Sequence, residues 1–161
     1  MIYGRRMALQ ATNSAVADIE EAIVTIVRET NLPRLQERLA AESGVAVERA
    51  GYSVLRVLSE HGESPLTPLA RQLGLDNSTV SRQVAALERD GLVTRASDPT
   101  DRRVASLRLS EAGADALARL KAVRHRMFAE MLGDWSAEDR ATLAPLLNRL
   151  ASAFANYASA R

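Results

Sequence analysis

The chain has 161 residues, of which 47% are hydrophobic and 25% charged, and no stretch approaches eighteen unbroken apolar residues, so neither a membrane span nor a disordered chain is expected. It lacks cysteine, which excludes disulfide scaffolds, thiolate nucleophiles and zinc–cysteine sites. Basic and acidic residues number 21 and 20, a balance that neither announces nor excludes a nucleic-acid partner.

Met1 to Gln10 carries Arg5 and Arg6 without a long apolar run behind them, so it does not resemble a secretory signal, and a cytoplasmic location is expected. From Ser14 to about Thr30, Val16, Ile19, Ile23, Ile26 and Val27 recur at helical spacing and predict an amphipathic helix. Pro33 disfavours a helical residue before it, so the helix should kink or split there, resume from Arg34 to Glu42 and stop at Gly44. A further helix is expected from about Val47 to His61, with Tyr52, Leu55 and Leu58 inward and Gly62 as its C-cap. Gly51 should weaken it by roughly 1 kcal/mol relative to alanine.

Two short helices follow. Thr67 before Pro68 reads as an N-cap with proline at the first helical position, and Leu69, Ala70 and Leu73 face inward before Gly74. Asp76 or Asn77 caps the next helix, which runs to about Asp90 with Val80, Val84 and Leu87 inward and Gly91 as terminator. Leu92 to Ala96 and Arg103 to Leu109 read as strands around the polar turn from Ser97 to Arg102, a β-hairpin. Ser110 caps a long helix to about Leu132, striped with Ala116, Leu120, Val123, Met127 and Met131. Ser136, with Glu138 and Asp139 behind it, opens the last helix, in which Leu143, Leu146, Leu147, Leu150, Phe154 and Tyr157 share one side and Pro145 should introduce a kink. The fold class is mainly α with a small β-hairpin wing.

On a helical wheel, turning Val80, Val84 and Leu87 inward leaves Ser78, Arg82, Ala85 and Arg89 on the opposite side, with Ser81 beside them. Small residues let a helix sit deep against a duplex, hydroxyls can bond phosphates, and arginine can bond phosphate or read guanine O6 and N7. Such a face is also compatible with an ordinary solvated surface. A capped two-turn helix, a tight turn, this helix and then a hairpin give the order of a winged helix-turn-helix. The hairpin turn holds Asp98, Asp101, Arg102 and Arg103, basic groups that a narrow minor groove would attract. Asp101 would pair with Arg103 and orient its guanidinium.

The stretch from Leu66 to Arg95, with Leu66-Thr67-Pro68-Leu69-Ala70 and Asn77-Ser78-Thr79-Val80-Ser81-Arg82 in it, resembles the core of the multiple antibiotic resistance regulator (MarR) family. So does Asp98-Pro99-Thr100-Asp101-Arg102-Arg103 followed by Leu107 to Gly113. The likeness is close over residues 47–113 and rests on helix order alone at the ends. It implies a homodimeric, ligand-responsive regulator, usually a repressor, that binds a pseudo-palindromic double-stranded DNA operator. It carries DNA contacts onto Ser78, Thr79, Ser81 and Arg82, a backbone contact onto Arg95, wing contacts onto Asp101 and Arg103, and a phosphate contact onto Thr67. Asn77, Arg89 and Arg102 complete the candidate DNA-binding set. It also divides the chain into a winged lobe, 47–109, and a helical dimerisation lobe, 1–46 with 110–161.

Dimerisation through the terminal helices would use Ile19, Ile23, Phe128, Met131, Trp135, Leu147, Leu150, Phe154 and Tyr157, more apolar residues than one lobe needs, though each taken singly reads as core. The family's usual cleft for a small aromatic or phenolic effector would lie near Tyr52, Arg56 and His61. His61 and His125 have no second ligand at helical spacing, so no metal site and no cofactor are expected. No phosphate loop or serine elbow points to an enzyme. The alternative is a winged-helix protein-interaction module, which should instead expose large apolar residues on the recognition face.

Overall fold

A computed structural model describes residues 2–97 and 105–160. The elements in chain order are α1 (Ile2–Thr30), α2 (Pro33–Ser43), α3 (Arg49–His61), β1 (Ser64–Pro65), α4 (Leu66–Leu73), α5 (Asn77–Arg89), β2 (Val93–Ser97), β3 (Ala105–Leu109), α6 (Glu111–Met131) and α7 (Ala137–Ser159). The mainly helical class with a small sheet is as the sequence predicts. Among the described residues no helix is long and apolar enough to cross a membrane.

The chain divides into two compact units, Met1–Leu120 and Lys121–Arg161. In the first, α1 begins at Ile2 rather than Ser14, because this stretch holds no proline and is rich in good helix formers. Pro33 does split the helix: it occupies the first turn of α2, where its missing N–H costs nothing. Arg49 Nη1 donates to Asn31 Oδ1 and so ties that break to the start of α3.

The core of this unit lies beneath α3, which presents Val54, Leu55, Val57 and Leu58 to its neighbours, Val54 and Leu55 having no exposed surface. Leu69 and Ala70 from α4, Val80, Val84 and Leu87 from α5, Val93 from β2, Leu107 from β3 and Ala116, Leu117 and Leu120 from α6 complete it. Tyr52, expected inward, is half-buried. Gly51 is buried, and a Cβ there would stand 2.7 Å from Val47 Cγ1 and 3.3 Å from Gln83 Oε1. The absent side chain therefore has a packing role, beyond the loss of helix propensity read from the sequence.

The sheet has the order β1-β3-β2 and is antiparallel throughout. In the hairpin Val93 pairs with Leu109 and Arg95 with Leu107, placing Leu107 inward and Arg108 outward, where its Nε donates to Thr94 Oγ1 at 3.1 Å. The two-residue β1, which the sequence reading missed, sets Ser64 opposite Leu107 and Pro65 opposite Ser106. This pairing corrects the assignment of Thr67 as an N-cap. The chain leaves the sheet at Pro65, which is the capping residue without a side-chain bond, so α4 starts at Leu66. Pro68 then falls third in the helix, still among the N–H positions that lack an intrahelical partner.

Two glycine stops flank α5, one in the turn before it and one just after it. Gly74 has φ +64° and Gly91 φ +70°, left-handed values that side-chain-bearing residues rarely adopt. Leu75 N–H reaches Ala70 O and Gly74 N–H reaches Arg71 O; Leu92 N–H and Gly91 N–H repeat the pattern on Leu87 O and Glu88 O. Both are Schellman closures, which end a helix and redirect the chain within two residues.

Directly after the hairpin, Ser110 fixes the start of α6. Its hydroxyl donates to Gly91 O at 2.6 Å and accepts Gly113 N–H at 2.9 Å, while its own N–H reaches Leu92 O at 3.1 Å. Gly113 lies so close to this turn that a Cβ would stand 1.9 Å from Leu92 O.

In the second unit, Val123 and Met127 on α6 are buried. Ser136 caps α7 as predicted, accepting Asp139 N–H at 3.0 Å and donating to Asp139 Oδ2 at 2.6 Å. The helix is continuous through Pro145. Its apolar side stays open: Leu146, Leu147, Phe154 and Tyr157 are all about half exposed or more, as are Phe128 and Met131, with Trp135 not far below.

Candidate nucleic-acid interface

The outward face of α5 exists because its inward stripe is fully satisfied. Val80 and Val84 have no exposed surface and Leu87 has 2%, which fixes the rotation of the helix and leaves Ser78, Arg82, Ala85 and Arg89 exposed, as the wheel predicts. Asn77 is exposed too, while Ser81 and Thr79 are half-buried.

Gln83 was not anticipated on the buried side. It lies between Val80 and Leu87 on the same stripe, is 7% exposed, and its Nε2 donates to Glu48 Oε2 at 2.7 Å. A buried amide so bonded avoids the cost of an unmet polar group and links α5 to the residue before α3. Periodicity held the signal, since position 83 is three residues after Val80 and four before Leu87.

At its N-terminus α5 is capped by Asp76, whose carboxylate accepts Thr79 N–H at 2.7 Å, the Thr79 hydroxyl at 2.7 Å and the Ser78 hydroxyl. The Ser78 and Thr79 donors hold the Asp76 carboxyl well below the usual carboxylate range. At the other end, Glu88 of α5 accepts Arg95 Nε of β2 at 2.7 Å, and this bond raises the Arg95 pKa further. The pair fastens α5 to β2. A guanidinium bonded through Nε keeps both terminal nitrogens available for a phosphate.

Thr67 is exposed at the start of α4. The wing residues Asp98, Asp101, Arg102 and Arg103, with the pairing expected between Asp101 and Arg103, lie outside the described residues. The effector candidates do not gather: Tyr52 and Arg56 follow one another on one side of α3, whereas His61 stands about 180° around the helix from Tyr52. Arg56 faces Glu60 at 3.6 Å, and the His61 ring nitrogen Nδ1 lies 3.3 Å from Val57 O. Among the described residues no group of three or more histidines and carboxylates could hold a metal ion.

A short helix, a tight turn, a second helix with an exposed polar and basic face, and a three-stranded wing define a winged helix-turn-helix, a class of DNA-binding transcription regulator. The MarR family model matches residues 47–105. The HTH-type transcriptional regulator YxaD of Bacillus subtilis is 38% identical over 108 residues, 67% of this chain and 76% of that protein. A MarR family protein of Bacillus stearothermophilus has the same fold, with a TM-score of 0.75 at 24% identity over 89% of this chain and 97% of that one. The PcaV transcriptional regulator of Streptomyces coelicolor, solved in complex with its natural ligand, gives 0.52 at 31% identity over 66% of this chain and 76% of that one. The chain belongs to the MarR family.

Proposed function

We propose that the protein is a homodimeric repressor that binds a pseudo-palindromic operator through α5 and is released from it by a small-molecule effector. The observation that carries this reading is the exposed face of α5, where Ser78, Arg82, Ala85 and Arg89 stand out from a helix whose rotation the core fixes. No large apolar residue occupies that face, as a protein-binding winged helix would need.

In this reading residues 47–109 form the DNA-binding lobe. Ser78, Thr79, Ser81 and Arg82 enter the major groove with Asn77 and Arg89 beside them, Thr67 and Arg95 hold phosphates, and Asp101, Arg102 and Arg103 work at the wing. Residues 1–46 and 110–161 form the dimerisation lobe, and the open apolar sides of α1 and α7 support it: Val16, Ile19, Val24 and Ile26 are more than half exposed, as are Phe154 and Tyr157. A dimer would space its two recognition helices by about 34 Å, one turn of duplex. Occupying a promoter over two half-sites blocks polymerase, hence repression.

An effector that binds the two dimer geometries unequally shifts the population away from the one that fits DNA. The ligand-bound PcaV supports this part of the reading, and Tyr52 and Arg56 are the α3 residues assigned to such a cleft, with His61 on the opposite side of that helix. A small aromatic or phenolic effector is the first class to screen.

The test is binding of the purified protein to DNA upstream of its own gene, followed by fluorescence anisotropy at several salt concentrations. Salt-sensitive, competitor-resistant binding is expected, and Arg82→Ala should weaken it by roughly 1 to 3 kcal/mol. Absence of any shift at low salt overturns the DNA reading, and a monodisperse monomer by light scattering overturns the dimer.

A further inference from the structure

The cap of α5 determines which kind of group Ser78 and Thr79 can offer a duplex. A hydroxyl has one proton to donate and two lone pairs to accept with. Both hydroxyl protons point at Asp76: Thr79 Oγ1 lies 2.7 Å from Oδ2, and Ser78 Oγ is bonded to Oδ1. The carboxylate stays ionised, because these donors hold it below its ordinary range, so it can only accept. What these two hydroxyls can still direct outward is lone pairs alone.

That restricts the partner. Phosphate oxygens, the N7 of guanine and adenine, guanine O6 and thymine O4 are all acceptors and find no proton on these hydroxyls, and the charge of Asp76 repels phosphate. The only base-edge donors in the major groove are the amino groups of cytosine N4 and adenine N6. Arg82, one turn further on, is the opposite case, with five donors and no acceptor. Four residues of helix rise about 6 Å, close to two base-pair steps.

Resting on the DNA-binding reading above, we propose that the Ser78 and Thr79 hydroxyls form an acceptor-only pair that selects an adenine or cytosine amino group about two base pairs from the guanine read by Arg82, with Asp76 as the residue that positions them. The hydroxyls of this turn thus read bases and do not hold phosphates, which revises the role the sequence suggested for them.

The experiment is selection from a randomised 30-base-pair duplex library with the wild-type protein and with Asp76→Asn, which retains an N-capping side chain and so keeps the fold. Asparagine retains an oxygen for Thr79 N–H but turns an amide donor toward Thr79 Oγ1, which frees that hydroxyl proton outward. The wild type should enrich adenine or cytosine at one position per half-site, and Asp76→Asn should shift that position toward guanine or thymine.

The selected duplex is then probed with purine in place of single adenines, or 2-pyrimidinone in place of single cytosines, each lacking the amino group, and with 7-deazaguanine in place of single guanines. Deleting the amino group should cost the wild type about fivefold in affinity and cost Ser78→Ala markedly less, whereas Arg82→Ala should lose only the response to 7-deazaguanine. If no amino deletion matters, or Asp76→Asn enriches the same base, the inference is overturned. A persisting 7-deazaguanine effect would then leave the DNA-binding reading standing. A library that enriches no sequence overturns both.

Discussion

Leucines of the same periodic kind meet opposite fates in two regions of this molecule. Leu55, Leu69 and Leu107 in the winged lobe are at most 1% exposed, whereas Leu146 and Leu147 of α7 are 50% and 49% exposed. A helical stripe in a sequence reports that one side is apolar and leaves open what covers it. In the winged lobe the neighbouring helices and the sheet are within the same chain, so the stripe is used in folding; in α7 it stays half exposed, the surface that the proposed dimer would cover.

The sharpest way to break this contrast is to charge the open side. Leu147→Glu with Phe154→Glu should abolish a dimer held there, a loss of about 5 kcal/mol or more from two apolar contacts and two buried charges, read by light scattering. The melting transition of the winged lobe should persist, and a dimer of unchanged strength would place the interface elsewhere.

The converse perturbation attacks the packed region. Gly113→Ala sets a methyl carbon against Leu92 O, and relief requires moving α6 off the turn that closes α5. A destabilisation of about 3 kcal/mol is expected in urea unfolding, with α7 left helical. Gly74→Ala should cost about 1 kcal/mol, the penalty of a side chain in the left-handed region, by the same assay.

The smallest effect is acid dependence. Asp76 has a folded-state pKa below its unfolded one, so its contribution is fully present above the unfolded value and is lost as pH falls through the folded value. Melting temperatures of wild type and Asp76→Asn should therefore keep a constant gap from neutral pH down to about 4 and converge only below it, and a gap that stays constant further into acid would show that the carboxylate adds nothing to the cap.

From α2 to β3, every element except β1 and the start of α4 was legible because each carries its own punctuation. Pro33, Gly44, Gly74, Asp76 and Gly91 mark starts and stops that local chemistry enforces, and the structure uses them all. The outward face of α5 was equally legible, since three buried positions fix the wheel. What escaped depends on partners distant in sequence. β1 is two residues long and exists only by pairing with β3, more than forty residues later, so no periodicity could announce it, and the misplaced start of α4 followed from that omission. Gln83 was hidden for a different reason: its polarity argued for solvent, and only Glu48, 35 residues away, lets it be buried. The hydroxyl orientation at Ser78 and Thr79 needed Asp76 in three dimensions, although the Asp-x-Ser-Thr spacing is what makes the cap feasible.

The two-residue β1 has one further consequence, for solubility in a crowded cell. A three-stranded sheet has two open edges, and a long flat edge invites pairing with another chain. On one side the outermost strand is only Ser64 and Pro65, and proline has no N–H with which to extend a ladder. The strand that steadies the wing therefore also blunts that edge, so two copies of the chain that meet there find little backbone with which to build a cross-strand ladder.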